Sequence, residues 1–195
     1  VIFYDASDNL AAVLGGADTD TLFVRNQAVP TSFNLASHEF ESANVVTDDP
    51  GGNWWLQVSD YYNISWQRTN SDTRADNGNL VQTTYDVSPG GTGVNWQYIS
   101  DYRNGADTLT NQDGKFDDGG SFAKSYDYAV GTGTDGISDE LREFTYFFRN
   151  DAERAANTVF NVEGFYDDGR KFTQTNDLTG QAWTFQTDWY ETNGT

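Results

Sequence analysis

The sequence predicts an all-β fold, an antiparallel meander of three-stranded repeats behind a short non-repeating N-terminal segment. Three observations carry this. An Asp-Asx-Gly triplet recurs at Asp76-Asn77-Gly78, Asp117-Asp118-Gly119 and Asp167-Asp168-Gly169. Tyr85-Asp86, Tyr126-Asp127 and Asn176-Asp177 follow these glycines at matching distances. Aromatic-rich segments at 54–62, 96–102 and 144–148 precede the triplets, and a fourth runs from 183 to 190. A period of roughly forty to fifty residues is the mark of a repeat array.

The strands follow in order. The first copy gives strands at 54–62, 65–75 and 79–87, the second at 95–103, 107–116 and 120–128, and the third at 143–149, 157–166 and 170–178. A segment at 182–190 opens a fourth copy and supplies a tenth strand. Asn104-Gly105 and Asp118-Gly119 mark hairpins, because Asn, Asp and Gly accept positive φ. Asp76, Asp117 and Asp167 are expected to cap the turn amides. Only three prolines occur in the chain, in keeping with continuous strand pairing.

Side chains alternate across a strand, so the copies overlay face by face. Trp55, Gln57, Ser59 and Tyr61 match Trp96, Tyr98, Ser100 and Tyr102, and then Trp183, Phe185, Thr187 and Trp189. This overlay predicts one aromatic face running through the array and one polar face. Repeat units fall at about 53–93, 94–141, 142–181 and 182–195, after an N-terminal region of 1–52. An insertion at 129–141 suggests a loop ending in a short helix at 138–142.

Composition narrows the function. Aromatics make up 15% of the 195 residues and can build a core despite few aliphatics. The net charge of −19 disfavours nucleic acid and anionic membranes, which need Lys and Arg. No segment is long and apolar enough to insert in a membrane. The absence of cysteine removes disulfides and thiolate metal sites.

Residues Gly15-Gly16-Ala17-Asp18-Thr19-Asp20-Thr21-Leu22-Phe23 stand close to the nonapeptide Gly-Gly-x-Gly-x-Asp-x-apolar-x, with Asp18 at the fourth glycine. This resembles the RTX, or haemolysin-type, calcium-binding secreted proteins. The stretch 33–41 and the acidic repeats look like other parts of such chains. The resemblance implies a β-roll-like N-terminal segment, secretion or cell-surface location, calcium as cofactor, and adhesion or matrix assembly, as in a surface layer. Asp18 and Asp20 would be the calcium ligands, with Asp5 and Asp8 close enough in sequence to add oxygens.

No enzyme motif emerges. His38 is the single histidine and sits between Ser37 and Glu39, where adjacency builds no triad. EF-hand spacing fails at Gly114, where Leu109 and Gly120 occupy the first and last ligand positions. The leading expectation is a non-enzymatic structural or adhesive module, with other copies or other surface proteins as partners through its sheet edges. A carbohydrate-binding module using Trp54, Trp66 and Trp189 is the alternative. A glycan-cleaving enzyme would need two carboxylates facing each other across a cleft, about 5–10 Å apart.

Overall fold

A computed structural model describes residues 2–4, 10–13, 21–26, 33–36, 40–88, 94–127 and 141–192. The fold is all-β, as expected. It forms two compact units, Val1–Val87 with Asn104–Asp107, and Ser88–Arg103 with Thr108–Thr195.

In the first unit, β1 (Ile2–Tyr4) and β2 (Leu10–Val13) form an antiparallel pair. A second sheet runs in sequence order through β3 (Thr21–Arg25), β4 (Ser42–Asp48), β5 (Trp55–Asn63), β6 (Arg68–Ala75) and β7 (Leu80–Tyr85). β3 and β4 are parallel, so the chain between them must cross over the sheet. Leu35 and Phe40, on that crossover, pack with Leu22, Val24 and Ala43 into a core in which Leu22, Val24 and Leu35 are fully buried. Phe33, Val45, Tyr62 and Trp66 surround it.

The second unit is a meander of β8 (Trp96–Arg103), β9 (Leu109–Phe116), β10 (Ser121–Tyr126), β11 (Leu141–Phe148), β12 (Asn161–Tyr166), β13 (Lys171–Asn176) and β14 (Phe185–Tyr190). Each of the ten strands expected from the repeats is present. One helix, α1 (Asp151–Ala155), interrupts the connection between β11 and β12. Asn150 caps it by accepting from the Glu153 backbone N–H at 2.9 Å, which is the ordinary role of an asparagine at a helix start. The helix expected at 138–142 is corrected over its described part, because Leu141 and Arg142 open β11.

The Asp-Asx-Gly turns repeat closely. Gly78, Gly119 and Gly169 hold φ of 85°, 90° and 88°, and each donates its N–H to the carbonyl three residues back. Positive φ is what restricts these positions to glycine. In all three turns the second residue of the triplet supplies a capping side chain. Asn77, Asp118 and Asp168 accept from the backbone N–H groups of Asn79, Gly120 and Arg170 at 3.0, 2.8 and 3.0 Å. The Asn104 turn also differs from expectation. Asp107, at φ 62°, is the left-handed residue there, and Trp66 holds the matching position at 58°. Both close a turn onto Asn104 or Asn63, so a bulged turn replaces the tight two-residue hairpin.

The single aromatic face is overturned for two reasons. First, bulges fall at the same place in the first three copies, between Trp55 and Gln57, Trp96 and Tyr98, and Leu141 and Glu143. An extra residue there puts Trp96 beside Phe116 and Tyr98 beside Lys115, neighbours that point to opposite faces. Second, three strands per repeat is an odd number. In a meander the next copy then starts with reversed strand direction. Advancing along the sheet while reversing direction is a half-turn about an axis across the strands, and that half-turn exchanges the faces. The register shows it. Phe122 pairs with Phe147, whereas the equivalent Phe172 shares its face with Gly164 and Phe144, three residues from Phe147. The second and third copies show opposite sides.

Candidate functional site

The second strand of each copy carries an Asn-x-Asp/Glu pair: Asn70 and Asp72, Asn111 and Asp113, Asn161 and Glu163. In the first two copies a tyrosine of the preceding strand completes a constellation. Tyr61 donates to Asp72 Oδ2 and Tyr102 to Asp113 Oδ2, each at 3.4 Å. Asn70 donates to Thr84 Oγ1 at 3.2 Å and Asn111 to Ser125 Oγ at 3.1 Å. Thr69 and Thr110 donate to the Tyr61 and Tyr102 carbonyls. The third copy breaks the set, because Phe147 takes the tyrosine position and has no hydroxyl.

The two intact sites end differently. In the second copy, Arg154 reaches from α1 and donates to Asp113 Oδ2 at 2.7 Å and to the Phe122 carbonyl at 3.0 Å. Lys115 anchors the same helix through Asp151 at 2.6 Å. Burial, and then the Asp113 carboxylate, push the Tyr102 phenol above its ordinary pKa. In the first copy the constellation lines an open pocket of about 520 Å³, formed by Thr21, Ser42, Asn44, Tyr61, Asn70 and Asp72 among others. Gln82 donates to Asp72 Oδ1 at 3.2 Å. Asn44 Oδ1, on the same pocket, is buried with no hydrogen-bond partner.

The tryptophans singled out from the sequence part company. Trp54 is 62% exposed and Trp189 61%. Trp66 is half-buried against the core, and its indole N–H donates to the Phe33 carbonyl at 2.9 Å. A left-handed non-glycine residue costs about 1–2 kcal/mol, which the packing of the half-buried indole and its hydrogen bond offset. Trp189 stacks on Tyr166 with centroids 6.1 Å apart and tilts against Phe172 at 5.4 Å. Phe172 lies over Gly164, where an added Cβ would come within 2.1 Å of the ring. Gly114 seats Phe122 in the same way on the opposite face. Sequence reasoning passed over these glycines. Their signal was a glycine in mid-strand, which marks close approach of another group.

Asp5, Asp8, Asp18 and Asp20 lie outside the described residues, as does His38. Among the described residues no group of three or more His, Cys, Asp or Glu side chains is placed to hold a metal ion. The best-defined carboxylate is Asp48, held well below the usual range by Arg25, Gln57 and Asn26, whose nitrogens lie at 2.6, 2.8 and 2.9 Å. It ties β3 to β4 and is structural. Compared with known proteins, the chain matches no family model, no curated sequence and no solved structure.

Proposed function

We propose that this chain is a non-enzymatic structural β-repeat module of a secreted or surface protein, which joins further β-structure through the edge of its sheet at β14. The carrying observation is that edge. β14 pairs only with β13 among the described strands, and its Phe185 and Trp189 are 57% and 61% exposed. An exposed strand with unpaired amides and apolar side chains is a template for strand addition. The partner that fits is a β-strand of a second copy or of a neighbouring surface protein. Sedimentation velocity across a concentration series tests this. Association that is lost in Thr187→Pro supports the reading, and a monomer at all concentrations, with no binding to neighbouring surface proteins, counts against it.

Calcium support belongs to the same proposal through the nonapeptide around Asp18 and Asp20. Thermal unfolding with and without millimolar calcium tests it, because a ligand of the native state raises Tm by linkage. A rise matched by sodium chloride of equal ionic strength would defeat it.

A second reading has one observation in its favour. Trp189 is exposed and, with the half-buried Phe172 and Tyr166 beside it, forms an aromatic step of the kind on which sugar rings stack. Quenching of tryptophan fluorescence by oligosaccharides, lost in Trp189→Ala, would establish it.

A further inference from the structure

We infer that the open pocket around Tyr61, Asn70 and Asp72 is a receptor for a guanidinium group, presented as an arginine side chain by a partner chain. The reasoning uses the protein as its own comparison. The second copy holds the same tyrosine, asparagine and aspartate with the same internal hydrogen bonds, and there the aspartate oxygen facing the tyrosine binds the Arg154 guanidinium at 2.7 Å. In the first copy the corresponding oxygen, Asp72 Oδ2, has only the long 3.4 Å contact from Tyr61.

The difference has a covalent origin. Arg154 rides on α1, which is inserted between β11 and β12, the hairpin that follows the second copy. The equivalent hairpin after the first copy is the five-residue connection Asn104-Gly105-Ala106-Asp107-Thr108, which holds no helix and carries no arginine. The first site is therefore built for a cation that the chain does not supply from the equivalent connection.

Two further features point the same way. Asn44 Oδ1 is a buried acceptor on the pocket wall with no partner, and a guanidinium carries five N–H donors in a planar fork. The net charge of −19 draws cationic chains toward the protein. Gln82 stands where the second site has Ala123, and its amide donates to the other oxygen of the carboxylate, Asp72 Oδ1. A ligand displaces or shares with Gln82. This inference does not depend on the β14 edge or on calcium.

The test is an amide NMR titration of the full chain with N-acetyl-arginine amide at physiological salt, with N-acetyl-lysine amide and a neutral oligosaccharide as parallel arms. The expected result is shift changes clustered at Asn44, Tyr61, Asn70 and Asp72, stronger for arginine than for lysine and absent for the sugar. Asp72→Asn should weaken binding at least tenfold, while Gln82→Ala, which restores the alanine of the second site, should strengthen it several-fold. Arg154→Ala should open the second site, giving new shifts at Tyr102 and Asp113 with the same probe. Shifts scattered over the acidic surface, equal responses to lysine and arginine, a response to the sugar at these residues, or unchanged affinity in both Asp72→Asn and Gln82→Ala would each overturn it. Gln82→Ala keeps the test decisive if Asp72→Asn fails to fold.

Discussion

The two units stabilise the same kind of sheet in different ways. In the first, chain covers sheet: Leu35 and Phe40 on the crossover close a hydrophobic core over Leu22, Val24 and Ala43. In the second, side chains cover sheet. Phe122 lies over Gly114 on one face, Phe172 over Gly164 on the other, and α1 carries Arg154 to Asp113. Where copies alternate faces, neither side of the sheet can gather a continuous core. Local patches take its place. At the position of the glycine and phenylalanine the first copy has Thr73 and Val81, because the crossover already supplies burial in that unit.

The largest effect should come from Leu22→Ala, which empties a fully buried site in the core of the first unit. A loss of about 2–5 kcal/mol is expected, measured by denaturant unfolding. A loss below about 1 kcal/mol would show that this core does not dominate its unit. Gly114→Ala comes next. Its Cβ would stand 2.6 Å from Phe122 Cε1 and 2.8 Å from the Tyr98 carbonyl oxygen, and the backbone contact is hard to relieve. Strain of about 1–3 kcal/mol follows. Gly164→Ala should cost less, since its three nearest contacts are with the Phe172 ring, a side chain that can move more readily than backbone. Equal costs would mean that the ring packing governs both.

Arg154→Ala removes two hydrogen bonds from a partly exposed side chain, and after discounting for solvent about 1 kcal/mol is expected. The loss should be recovered in part by millimolar methylguanidinium, which would not happen if the arginine acted only by packing. Asp48→Asn sharpens the contrast through pH. The Asp48 carboxyl is depressed, first by Arg25, so its contribution is present above the ordinary aspartate pKa and is lost as pH falls through the folded value. The mutant should have a lower Tm at neutral pH, with the difference shrinking in acid. A pH-independent difference would assign the effect to shape and not to charge. Trp189→Ala should change stability least, within about 0.5–1 kcal/mol, while removing association or sugar binding at β14 if either occurs.

Much of this was legible along the chain. The Asp-Asx-Gly spacing located three turns, and a glycine with φ near 90° sits in each. The ten strands could be placed because turn residues and alternation are local signals. The capping role of the second residue of the triplet was missed because both positions carry carboxylates or amides in sequence, and only the backbone path brings Asn77, Asp118 and Asp168 onto the amide two residues on. The Tyr-Asn-Asp constellation was invisible because Tyr61 and Asp72 lie on different strands, and register sets which residues face each other. Nor does anything local to Arg154 announce Asp113, forty-one residues away.

By itself the sequence determined the class of fold, the repeat, the turns and the charge, since each depends on residues within a few positions of one another. The tertiary structure alone decided which face each copy presents. That follows from strand parity and from bulges, properties of the pairing that no single segment contains. The same pairing filled one Tyr-Asn-Asp site with the chain's own arginine and left the other open.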